Sequence, residues 1–159
     1  MATRYRGTDD EVAALNAFIA LQRAANALNA KLAPRIRHYG LTESQFGVLE
    51  ALYHLGPMHQ NELGAKLLKS GGNMTLVIDN LEKRGFVRRV RSETDRRYIA
   101  VHLTDEGEAL IRKVFPEHAA AITALMSVLS REERGTLRSL ARSVGKGEPT
   151  EAASRERGE

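Results

Sequence analysis

Between Lys83 and Arg97 the chain carries seven basic residues, Lys83, Arg84, Arg88, Arg89, Arg91, Arg96 and Arg97, against two acids, Glu93 and Asp95. That local excess is larger than the formal charge of +4 on all 159 residues. Cations at this density attract phosphate and release its counterions, the basis of DNA affinity that ignores sequence. A solvated basic surface has the same composition, so the stretch needs a reader of bases beside it. The segment just upstream, SGGNMTLVIDNLEKRG from Ser70 to Gly85, supplies candidates. With Met74, Val77, Ile78 and Leu81 on one helical stripe, Gly72, Leu76, Asp79 and Lys83 point outward, flanked by Asn73, Thr75 and Asn80. The amide of Asn73 suits adenine, Leu76 suits a thymine methyl, and Thr75 is a third base-edge candidate. Gly71 and Gly72 either bring free backbone N–H groups close to a phosphate or form a flexible turn.

Other chemistries find little support. There is no nucleophile elbow, no glycine loop followed by lysine, and no HExxH among the five histidines, so the chain is not expected to be an enzyme. It has no cysteine, which excludes disulfides, thiolate zinc sites and thiol redox sensing. His54, His59 and Glu62 could offer zinc nitrogen and oxygen ligands, a weak pattern without a thiolate, and no cofactor is expected. The N-terminus lacks an apolar core with a cleavage site, and no run of about 18 apolar residues occurs. The expectation is a soluble cytoplasmic protein with no membrane partner.

The positioning elements follow from periodicity. Val12, Leu15, Phe18, Ile19, Leu28 and Leu32 mark a long amphipathic helix from Asp9 to Arg37, with Pro34 near its end. In LTESQFGVLEALYHLG a capping box of Thr42 and Gln45 opens a helix that Gly56 and Pro57 end. A short helix over about Gln60 to Leu68 and a third from near Ser70, stopped by Gly85, make a helix-turn-helix. The period then changes to that of strands in FVRRVRS and RRYIAVHLT, joined by the polar turn SETD, which reads as a wing. Thr104 caps a long helix from Asp105 toward Leu129, bent at Pro116. Ser130 and Glu133 open a last helix that Gly145 closes, and the polar tail is expected to be disordered.

The order of parts and four motifs, LTESQFGVLEAL, NELGAKL, NMTLVIDNLEKRGFVRRV and TDRRYIAVHLTDEG, resemble the multiple antibiotic resistance regulator (MarR) family over about Leu41 to Leu110. Asp95, Arg97, Leu103 and Thr104 match that family's wing and the pair opening the next helix. The resemblance implies a mainly α fold with a small β-wing: a winged helix-turn-helix whose dimerisation domain comes from both termini. The expected boundaries are a dimerisation helix at 1-38, the DNA-binding domain at 39-104, dimerisation helices at 105-145 and a tail at 146-159. Large apolar surfaces on the Ala-rich terminal helices agree with a homodimer.

For function, the resemblance implies a transcriptional regulator that binds double-stranded DNA at a pseudopalindromic operator, with half-sites about 10 bp apart. Repression by blocking polymerase follows, with activation as the other outcome. Arg97 resembles the arginine that relatives place in the minor groove, with Asp95 orienting a nearby arginine. Arg96 is the alternative, because adjacent strand residues point oppositely. Where Leu76 stands the family often has arginine. Lys69, Arg84, Arg88 and Arg89 are phosphate contacts or solubilising charges. Many relatives bind an aromatic or phenolic effector between the DNA-binding lobe and the dimer helices, for which His38, Tyr39, Phe46, Tyr53 and His54 are the candidates, each with a plain core or interface role as the alternative. The rival reading is a winged-helix dimer that binds a protein or small molecule without reading DNA, against which the arginines from Lys83 to Arg97 argue.

Overall fold

Four helices begin on the same device. Thr8, Thr42, His59 and Ser130 each accept a backbone N–H from the first turn, while Glu11, Gln45, Glu62 and Glu133 reach back to the capping residue's own N–H. The structure is a computed structural model that describes residues 4–67, 71–91 and 99–156. In order, its elements are α1 (Asp9–His38), α2 (Glu43–Leu55), β1 (Met58–His59), α3 (Gln60–Lys66), α4 (Gly71–Lys83), β2 (Val87–Arg91), β3 (Ile99–Leu103), α5 (Asp105–Leu125), α6 (Arg131–Lys146) and α7 (Glu151–Glu156). They fall into two compact units, residues 1–120 and 121–159.

In the first unit the helical periodicity closes a core. Phe46, Val48, Leu49 and Leu52 of α2 pack with Leu63 of α3 and with Met74, Val77, Ile78 and Leu81 of α4. Val87, Val101, Ile111 and Val114 complete it from the sheet and α5. Each such side chain contributes about 1.5–3 kcal/mol on leaving water, which holds α4 by one stripe and leaves its other face open. The sheet is antiparallel in the order β1-β3-β2, with Val87 opposite Leu103 and Arg91 opposite Ile99. This is a winged helix-turn-helix on a mostly helical frame, with the predicted wing strands in place. The sequence missed β1, which is two residues long and pairs Met58 with Val101 and His59 with Ala100.

Thr104 joins the reading lobe to α5. Its hydroxyl donates to the carbonyl of Gly85 at 2.6 Å and accepts the N–H of Gly107 at 3.0 Å. One side chain thus caps α5 and fastens it to the turn that ends α4.

Much of the surface of α1 is open: Ala33 and Ile36 are its buried residues, while Leu15, Phe18 and Leu21 are exposed. In the second unit, α5 ends at Leu125 and a 3-10 turn covers Met126–Val128, so the helix expected to reach Leu129 stops earlier. The apolar residues Leu137, Leu140 and Val144 of α6 are also exposed. That helix continues past Gly145 to Lys146, and Gly147 at φ +68° supplies the left-handed cap. Where the sequence suggests a disordered tail, α7 adds a helix of six residues; Thr150 caps it by accepting the N–H of Ala153 at 3.2 Å.

Candidate nucleic-acid interface and effector cavity

The open face of α4 carries the predicted base readers. Gly72, Asn73, Thr75 and Leu76 are exposed, and Leu76 keeps 60% of its surface in solvent. A leucine that exposed stands out on a helix otherwise well sorted into inner and outer faces, and it lies outside the buried core. A β-carbon added to Gly71 or Gly72 would meet nothing within 4 Å, so the start of α4 is sterically open.

The neighbouring basic residues divide into three kinds. Lys83 and Arg88 are exposed. Arg84 donates to the carbonyl of Gly40 at 2.8 Å and, at 3.4 Å, to Oε1 of Gln45, with its guanidinium 4.8 Å from the centre of the Phe86 ring. Arg89 is held by acids: it reaches Oδ1 of Asp79 at 2.6 Å and Oε2 of Glu82 at 2.5 Å, and its backbone N–H donates to Oε1 of Glu82 at 2.9 Å. Burial disfavours its charge, but the hydrogen bonds to Asp79 and Glu82 outweigh this and leave its pKa raised. Arg89 also makes a longer contact, 3.4 Å, to Oε1 of Gln60, whose Nε2 donates to the Thr75 hydroxyl at 2.6 Å; that hydroxyl donates to the carbonyl of Gly71 at 3.1 Å. Ser70, Asp95, Arg96, Arg97 and Lys69 lie outside the described residues.

A cavity of about 530 Å³ opens at the end of α2, against β3 and α5. Of the predicted effector contacts, Tyr53 and His54 line it, together with His102, Leu103 and Arg112, which the sequence reading did not single out. Phe115 stacks edge-on against His54 at 4.6 Å, and the Arg112 guanidinium lies 5.9 Å from the Tyr53 ring while paired to Glu108 at 2.7 Å. The cavity's size is that of small-molecule sites, and its lining is mainly polar, with His54, His102, Glu108 and Arg112 beside the Tyr53 ring. Phe46 is buried in the core, its ring 4.5 Å from that of His118. His38 and Tyr39 stack on each other at 5.4 Å away from the cavity lining, and a hydrogen bond to Glu117 raises the Tyr39 pKa. Among the described residues no metal-binding cluster is present; His59 and Glu62 form the α3 cap.

This arrangement matches known proteins. Residues 41–99 fit the model of the MarR family. The chain is 40% identical over 119 residues to the HTH-type transcriptional regulator MhqR of Bacillus subtilis, covering 75% of this chain and 82% of that one. The chain belongs to the MarR family. Among solved MarR-family structures, Sco3205 from Streptomyces coelicolor in complex with DNA aligns with a TM-score of 0.78 at 25% identity, over 94% of this chain and 95% of that one. NadR in complex with 4-hydroxyphenylacetate aligns with a TM-score of 0.74 at 25% identity, over 92% of this chain and 99% of that one. The protein is therefore a DNA-binding transcriptional regulator and not an enzyme, as its MarR relatives are. The LTDEG stretch of the MarR motif has a structural meaning here, since Thr104 and Gly107 make the joint between the wing and α5.

Proposed function

We propose that the protein is a cytoplasmic repressor that binds a pseudopalindromic operator as a homodimer and leaves it when a small aromatic effector binds. The observation that carries the DNA reading is the exposed row of Asn73, Thr75 and Leu76 on a helix whose opposite stripe is buried. Asn73 pairs with adenine, Leu76 covers a thymine methyl, and Gly72 with Ser70 brings the helix start to a phosphate. Lys83 and Arg88 grip the backbone. At the wing tip, Arg97 or its neighbour Arg96 enters the minor groove, with Asp95 orienting an arginine.

The exposed apolar faces of α1 and α6 support the dimer, because Phe18, Leu137, Leu140 and Val144 would otherwise stand in water. A twofold axis then makes the operator pseudopalindromic, with half-site centres about 10 bp apart. The cavity beside Tyr53, His54 and Arg112 is the proposed effector site. A ligand there touches β3, the strand that carries the wing, so its binding energy can differ between wing positions. The 4-hydroxyphenylacetate held by NadR makes hydroxylated aromatic acids the first probes to try.

The test is genome-wide capture of bound DNA by the purified protein. It is followed by salt-dependent affinity for the best site with wild type and Arg97→Ala, with and without 4-hydroxyphenylacetate. A recovered pseudopalindrome, weaker binding by the variant and release by the probe are expected. If no site exceeds random DNA and Arg97→Ala changes nothing, DNA reading fails and the protein is a binding module for another partner.

A further inference from the structure

Resting on the reading that α4 reads bases, we propose that Arg89 is a positioning residue for the recognition helix and not a phosphate contact. Strand alternation makes the first distinction. Val87 is buried in the core, so Arg89, two residues on, shares the inner face of β2, whereas Arg88 between them is exposed. Opposite Arg89 across the ladder is Val101, which is fully buried. A guanidinium placed there faces α4, and what it finds is Asp79 and Glu82, three residues apart on one side of that helix.

The electrostatics point the same way. A phosphate approaching Arg89 meets a cation already shared by two carboxylates, and to bind it would have to release two charge-assisted hydrogen bonds. Release would leave Asp79 and Glu82 facing the DNA with no counter-charge, which repels the duplex. The pairs therefore offset one of the two negative charges on the reading helix, hold both carboxylates in place and fix the helix pitch against the wing strand. A lysine, a single point charge without a planar fork, cannot reproduce that geometry.

The same guanidinium orders a reader. By drawing Oε1 of Gln60 towards itself, Arg89 turns the Gln60 amide so that Nε2 donates to the Thr75 hydroxyl. The one proton of that hydroxyl goes to the carbonyl of Gly71. Thr75 thus has no proton to give a base, and its methyl is the group left for reading. From β2, Arg89 acts on specificity through Gln60 of α3 and Thr75, Asp79 and Glu82 of α4, without touching DNA.

The experiment compares full-length wild type, Arg89→Met, Arg89→Lys and Arg88→Met, on the captured operator and on random duplex, over a series of salt concentrations. The ratio of operator to random affinity falls about tenfold in both Arg89 variants, the worth of a misread base pair, while the salt slope stays at the wild-type value. Arg88→Met instead lowers the slope by about 1 and keeps the ratio. A slope lowered by about 1 in Arg89→Met with an unchanged ratio, or full rescue by Arg89→Lys, overturns the proposal. Should the Arg89 variants not fold, Gln60→Met leaves the ion pairs in place; a reduced ratio at unchanged slope supports the relay, and an unchanged ratio refutes it. Wild type that prefers no sequence over random duplex overturns the base-reading assignment itself, an outcome separate from the others.

Discussion

Gly107, in the first turn of α5, packs directly on the backbone carbonyl of Phe86, with no room for a β-carbon between them. The carbonyl also accepts the N–H of Thr104, so this contact is where the wing sheet and α5 meet. Gly107→Ala must move backbone against backbone. It is expected to cost about 2 kcal/mol or more in denaturant unfolding, as overpacking of a fixed contact does.

Gly135 in α6 is the counter-case. A β-carbon there meets nothing within 4 Å, and the residue is helical and exposed. Gly135→Ala should stabilise the protein by about 0.5–1 kcal/mol through helix propensity alone, read from the same unfolding curves.

Leu76→Ala separates reading from folding. At 60% exposure the side chain contributes little to the protomer's core, so stability should stay within about 0.5 kcal/mol of wild type. Operator affinity should fall by roughly 1 kcal/mol, the value of a covered methyl or two, with random-duplex affinity unchanged in a binding titration.

His118 makes stability depend on acidity. Burial lowers its pKa from the ordinary histidine value, partly opposed by Glu50, and its buried Nδ1 has no hydrogen-bond partner among the described residues. Because the folded-state pKa is the lower one, the neutral ring stabilises the fold above the unfolded pKa, and that stability is lost as pH falls through the folded value. Melting temperature should therefore drop between about pH 7 and pH 5 more steeply in wild type than in His118→Phe.

The effector cavity has its own readout. Arg112→Ala and His54→Ala should raise the concentration of aromatic probe needed for release by about tenfold, the worth of one hydrogen bond to a charged group, and leave probe-free DNA affinity unchanged. Loss of DNA affinity without any change in probe response would remove the cavity from the account.

Much of this architecture is visible in the residues themselves. Thr42 with Gln45 and Ser130 with Glu133 announce their helices, and the buried stripe of α4 is read correctly from Met74, Val77, Ile78 and Leu81. Both signals are local. What escaped depends on distant partners: β1 exists because β3 lies beside it, and the cavity joins residues 52–54 to His102 and Arg112. The sequence offers Arg89 as a phosphate contact or a solubilising charge, and its ion pairs escape that reading because they depend on which face of β2 meets α4. Only the fold shows that Asp79 and Glu82 wait there. The stop expected at Gly145 falls two residues later, because it is Gly147 that takes the positive φ of the helix cap.

Operator reading by a homodimer is tested most directly by a footprint of the wild-type protein on its best captured site, with the number of protomers bound counted by native mass measurement. Two protomers are expected on a pseudopalindrome, protecting two half-sites with centres about 10 bp apart. A single protomer on one asymmetric site, or protection that follows no sequence, would contradict that reading.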